Sequence, residues 1–216
     1  MLIQEIESHI REILRDIDED QYTSEFIYSA ILSAELSIHS YRPDATSTEL
    51  DVVCVQGSRQ SLPTTATQLL SVVRNGSPSS VGRVIHRVSE TSLNTFTPDW
   101  QSATPQATAR EYIFDEREKT VFYLNPPIDA GGSITVIASM TPQPNLVVDA
   151  TTQTTVNDEY RQPLIEYALY VLFSSDTEGT PNISRAQTHL NTFANVLGVS
   201  WQAVRGQSPK QVAYEK

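Results

Sequence analysis

Residues 98–127 read PDWQSATPQATAREYIFDEREKTVFYLNPP, and the fold turns on how this stretch is divided. REYIF (110–114) and TVFYL (120–124) are rich in β-branched and aromatic residues, and the five residues between them, DEREK, are all charged. Two such runs around a short polar loop predict a β-hairpin. Alternation along each strand puts Tyr112 and Phe114 on one face of the first, and Val121 and Tyr123 on one face of the second. The charges fall at the tip: Asp115, Glu116, Arg117 and Lys119. Trp100 follows the turn residues Pro98-Asp99, and no Lys or Arg lies between it and Arg110. A Trp meant to stack on a base would want such a cation. This one is expected to cover the hairpin, with its N–H finding a partner.

Strand character extends to both sides. LDVVCVQG (50–57) predicts a strand, and SRQSLP (58–63) its partner across Gln56-Gly57. TATQLLSVVRN (65–75) reads as a short helix stopped at Asn75-Gly76. GRVIHRVS (82–89) is a further strand, ETSLNTF (90–96) a helical turn, and GSITVIASM (132–140) a last strand after the turn PPIDAGG.

Helical periodicity brackets this block. Ile3, Ile6, Ile10, Ile13, Leu14 and Ile17 recur at three- and four-residue steps, and DIDEDQY (16–22) interrupts them as a polar loop. Phe26, Ile27, Ala30, Ile31, Ala34 and Ile38 form a second stripe, with Thr23 or Ser24 as N-cap and Pro43 ending the helix. DATTQTTVND (149–158) is a linker returning from the β block. A third stripe runs from Tyr160 to Leu172, where Pro163 marks either a kink or the first turn. A fourth runs from Ile183 to Leu197, with Pro181 at its start and Gly198 as its C-terminal cap. Neither helix pair can bury its apolar face alone. The expected class is therefore α+β: a four-helix bundle of the N- and C-terminal helix pairs (1–47 and 150–198), an inserted antiparallel β-rich domain (48–149), and an extended C-terminal tail (199–216). A tail without a core either stays disordered or folds onto a partner, for which Trp201, Val204, Val212 and Tyr214, with Arg205 beside them, give apolar anchors.

Composition narrows the function. With 15 Lys and Arg against 26 Asp and Glu, the formal net charge is −11, which disfavours a chain-wide electrostatic grip on nucleic acid phosphates. One cysteine, Cys54, allows no internal disulfide and no thiolate metal site, and is expected to be buried. The charged N-terminus does not read as a signal peptide, and no apolar run reaches the ~20 residues of a membrane span. The chain is expected to be a soluble protein of a reducing compartment. His9, His39, His86 and His189 include no pair at helical ligand spacing. The carboxylates cluster in turns expected to be solvated, whereas general acid–base work needs a carboxyl in an environment that shifts it. AGGS (130–133) lacks the Lys and spacing of a phosphate loop. Neither a catalytic residue, nor a metal ligand, nor a cofactor is assigned. A hydrolase would need paired carboxylates across a cleft; the candidates, Asp99, Asp115 and Glu116, lie on turns.

YRPDAT (41–46), after an amphipathic helix pair, and NTFTPDWQSATPQATAREYIFDEREKTVFYLNPP (94–127) resemble the head-to-tail adaptor proteins of short-tailed bacteriophages. The resemblance rests on Asp99-Trp100, Arg110-Glu111-Tyr112, and Asp115 ahead of Phe122-Tyr123 and Pro126-Pro127, and it runs in order over roughly residues 1–175. The first loop lacks the Trp that often precedes the second helix in that family. The resemblance implies a structural protein of the virion neck, made in the bacterial cytoplasm: a ring of copies, usually twelve, between the portal and the tail nozzle or hub. DNA passes through its lumen without sequence-specific binding, and tail fibres are a further partner. The C-terminal segment would reach along the portal through Trp201, Val204, Arg205, Val212 and Tyr214, and the hairpin tip, Asp115 to Lys119, would touch another protein. The rival readings are another neck component, such as a nozzle or head-completion protein, and a carbohydrate-binding or hydrolytic tail module.

Overall fold

A computed structural model describes residues 1–77, 80–143, 148–149, 151–175 and 180–207. The fold is α+β, with five α-helices and two four-stranded sheets among the described residues. The chain divides into two units: Met1–Ile38 with Gln143–Lys216, and His39–Pro142.

The first unit carries α1 (Ile3–Leu14), α2 (Ser24–Tyr41, as far as Ile38), α4 (Arg161–Ser175) and α5 (Thr180–Gln207). Ile3, Ile6 and Ile10 are buried as their spacing predicts, but Ile13 and Ile17 are exposed. Ile17 lies beyond the helix, because α1 ends at Leu14 with Arg15 in the left-handed conformation at φ 59°, whereas Ile13 is exposed within it. The chain then folds back around Arg11, whose side chain lies buried beside the isoleucines. Thr23 is the α2 cap, its Oγ1 accepting from the Phe26 N–H at 3.4 Å. Ile27, Ala30, Ile31, Ala34 and Ile38 are buried, and so is Glu35, which receives the returning linker: its carboxylate accepts the Thr155 N–H at 2.7 Å. That linker also bridges to the chain start through Leu2 and Gln153. Pro163 is the third residue of α4, so it lies in the first turn, where its missing N–H costs nothing. Tyr167 of α4 meets Phe193 of α5 edge-on at 4.9 Å. The helix end expected at Gly198 does not occur. The backbone continues helical to Gln207, so the first nine residues of the expected extended tail belong to α5.

In the second unit one sheet has the order β1 (Ser47–Val53), β8 (Ser133–Met140), β3 (Ala66–Ser77), β4 (Ser80–Val84), antiparallel throughout. The other runs β2 (Gly57–Ser61), β7 (Val121–Ile128), β6 (Glu111–Ile113), β5 (His86–Arg87), antiparallel except for the parallel pair β5–β6. Val52, Leu69, Val72, Ile134 and Val136 from the first share a core with Tyr112, Phe122, Leu124 and Ile128 from the second. Cys54 is buried in it, which pushes its thiol up to about 11.

Two expectations fail here for physical reasons. Residues 65–75 are not a helix but most of β3. Its buried positions, Ala66, Leu69, Val72 and Asn75, come every third residue because the ladder to β8 shifts register three times. Each shift adds a residue to one strand, and the period of two is stretched into one that imitates a helix. Nor do β1 and β2 pair with each other. They lie in different sheets, and the chain crosses between them at 54–57. The crossing is held by the buried Gln60 amide, whose Nε2 donates to the carbonyls of Val55 (2.8 Å) and Gly57 (3.0 Å) while Oε1 accepts the Val55 N–H.

Candidate interaction site

The hairpin exists as the sequence predicts, with Tyr112 opposite Leu124 and Ile113 opposite Tyr123. Its two faces have different fates. Tyr112, Phe122 and Leu124 enter the core between the sheets. Ile113 and Tyr123 face the other way and are covered by Trp100, which is 1% exposed and meets the Tyr123 ring at 6.2 Å, nearly perpendicular. The indole N–H donates to Asn94 Oδ1 at 2.9 Å. Asn94 stands on α3 (Glu90–Phe96), which Ser89 caps by accepting the Ser92 N–H. Trp100 is thus spent on packing.

The tip between the strands has a hydrogen-bonded backbone and exposed charge. Asp115 accepts the Arg117 N–H through Oδ1 and the Glu118 N–H through its carbonyl, each at 3.0 Å, and the Glu118 carbonyl accepts from Val121. The Lys119 and Thr120 carbonyls are tied to the N–H groups of Leu69 and Leu62. Asp115, Glu116, Arg117 and Lys119 all project into solvent. Arg87 completes the surface: its guanidinium lies over the Phe114 ring, donates to the Phe114 carbonyl at 3.5 Å and stands 3.9 Å from Glu116. Nothing in the sequence singled it out, because its place beside the tip comes from the parallel β5–β6 pairing. Phe96, 84% exposed at the end of α3, was likewise missed.

Trp201, Val204 and Arg205 lie on the helical backbone of α5; Val212 and Tyr214 lie outside the described residues.

The polar groups buried elsewhere hold structure together. In the first unit Arg11 Nε donates to Glu7 Oε1 (3.0 Å), Nη1 to the carbonyls of Asp16 (3.2 Å) and Tyr22 (3.1 Å), and Nη2 to Ser24 Oγ (3.0 Å). Burial alone would raise the Glu7 carboxyl, but donated bonds from Tyr28 and Ser24 and the Arg11 charge outweigh it and leave it below its ordinary value. Burial and the Glu7 carboxylate push Tyr28 up to about 12. Asp16 is buried too, yet the Gln21 and Tyr22 N–H groups and Arg11 bring it below its usual range. Of the acids in this loop Asp16 is buried against Arg11 and Glu19 reaches it at 3.3 Å, while Asp18, Glu19 and Asp20 are exposed as expected. In the second unit the buried Asn75 amide donates to the carbonyls of Arg83 (2.9 Å) and Ala109 (2.7 Å) and accepts the Ala109 N–H (2.8 Å). His39 is bracketed by the hydroxyls of Thr46 (2.8 Å) and Thr67 (3.2 Å). Among the described residues, no group of three or more His, Cys, Asp or Glu is placed to hold a metal ion, and no helix is long and apolar enough to cross a membrane.

Buried polar groups are thus turned to internal bracing, and the hairpin carries its exposed charge at the tip. The chain belongs to the SU10 adaptor protein family, whose model matches residues 1–213. Among curated proteins, none matches it in sequence. The resemblance carried by residues 41–46 and 94–127 points to the same place: a structural adaptor of the bacteriophage virion.

Proposed function

We propose that this chain forms a ring, of twelve copies, between the portal and the tail nozzle or hub of a short-tailed phage, with the genome passing through its lumen. The observation that carries this reading is the family match over residues 1–213, nearly the whole chain. The helices of 1–47 and 150–198, as a bundle, make the contacts with neighbouring copies and the portal. The β-rich part, 48–149, faces the tail, and the tip residues Asp115, Glu116, Arg117 and Lys119 meet the nozzle or a fibre. The C-terminal segment reaches along the portal through Trp201, Val204, Arg205, Val212 and Tyr214. The net charge of −11 supports a lumen that repels DNA instead of trapping it, with acids facing inward. A reconstruction of the virion neck tests all of this together. The expected result is twelve copies of this chain directly beneath the portal, around an acidic channel. Density for this chain in the nozzle or at a fibre tip would reject the assignment, and a lumen lined by Lys and Arg would reject the charge argument.

A further inference from the structure

Among the described residues the sheet β1-β8-β3-β4 has β1 and β4 as its two edges, with no further strand paired to either. An edge strand offers a row of backbone donors and acceptors that another strand can extend. The two edges here differ in charge. β1 carries Glu49 and Asp51, both exposed, and no cation; β4 carries Arg83, exposed, and no acid, with Arg74 on the strand next to it. Both also expose valine: Val53 is 71% exposed on β1, Val81 66% and Val84 54% on β4.

Edge charges often serve only to keep strangers away. Segregated opposite signs do something more selective. They repel β1 from another β1 and β4 from another β4, while drawing β1 towards β4. The strand directions agree. Each neighbour in the sheet is antiparallel to the next, so β1 and β4 run in opposite senses. A copy placed alongside in the same orientation therefore presents its β1 antiparallel to the first copy's β4. The levels agree as well: Asp51 pairs with Thr135, Thr135 with Arg74, and Arg74 with Val84. Asp51 of one copy thus comes level with Val84 of the next, with Arg74 beyond it in the same row.

From this we infer that β4 of one copy adds to β1 of a second copy, so that neighbouring sheets run on as a single antiparallel sheet, with the acidic β1 edge meeting the basic β4 edge and the valines covered. Such a contact joins two different surfaces of the same chain, the kind that generates a ring when its rotation closes. The inference rests on the ring proposed above and names the surface through which it forms.

Val53→Cys and Val81→Cys in one chain, with Cys54→Ser to remove the native thiol, test it in assembled virions. Mild oxidation is expected to give a ladder of cross-linked copies, absent from either single-cysteine chain. A ring visible in the neck without a ladder overturns the edge contact and leaves the ring reading standing; a neck without a ring of this chain overturns both. Cross-linking to a different virion protein, or dimers from a single-cysteine chain, also overturns the edge contact. A charge exchange provides a second readout. Chains with Glu49→Lys and Asp51→Lys, or with Arg83→Glu, are each expected to lose assembly alone, and an equal mixture to regain it, because each then supplies the edge the other lacks. Assembly by either variant alone, or failure of the mixture when both chains melt like the parent, overturns the pairing.

Discussion

Arg11 is 7% exposed and serves Glu7, Asp16, Ser24 and two carbonyls at once. Removing one partner of a buried ionic cluster leaves the others desolvated and uncompensated, at a cost of about 3–5 kcal/mol. Arg11→Met, which keeps most of the volume, is therefore expected to lower unfolding stability by about 3–5 kcal/mol in a denaturant titration; a loss under ~1 kcal/mol would show that the cluster braces nothing. His39 supplies a pH effect. Burial, aided by Lys119, holds its imidazole below the ordinary value of 6.5. Above that value the ring is neutral in both folded and unfolded chains. As pH falls through it, the unfolded chain takes up a proton first, so stability is present above pH 6.5 and is lost as pH falls towards and through the lower folded value. Melting curves between about pH 7.5 and pH 5 should show a steeper fall for the parent than for His39→Gln, and parallel curves would refute this.

At the level of elements, what could be read from the chain depended on whether its pattern was local. α1, α2, α4 and the 110–124 hairpin were legible because each satisfies its backbone within a short span. So was the covering of the hairpin by Trp100, since a Trp after a turn with no cation near it has little else to do. β3 was illegible because its information lies in its partner. Only the bulged ladder with β8 explains why Ala66, Leu69 and Val72 point inward three residues apart. The separation of β1 from β2 was hidden for the same reason: Gln56-Gly57 resembles a hairpin turn, and the Gln60 amide that makes it a crossing acts through space. Of the candidate site, the tip charges were visible in sequence, while Arg87 and Phe96 were not, as neither lies in a run that marks it out.

At the scale of the whole molecule, α5 carries the chain 28 residues, to Gln207. At 1.5 Å of rise per residue that is roughly 40 Å of helix, and ten of its residues follow the buried Leu197. If this segment serves the portal contact proposed above, removing residues 199–216 is expected to leave the melting transition unchanged and to weaken recruitment to tail-less capsids, read by co-sedimentation. Recruitment equal to that of the parent would remove this segment from the portal contact.

The placing of β8 has a consequence for how the protein is made. It is the strand shared by β1 and β3, it comes last of the eight in sequence, and it ends at Met140. α4, which receives the Tyr22 hydroxyl at the Leu172 carbonyl, begins only at Arg161. A ribosome delivers the chain from its N-terminus, so β1 must wait for more than 80 residues of synthesis before its ladder partner emerges, and the apolar sides of α1 and α2 wait longer still. Neither unit can close until most of the polypeptide has been made. The second unit has all its strands once Met140 has emerged and the first only after α4 and α5, so an adaptor terminated before residue 140 would have no folded part to offer an assembling virion.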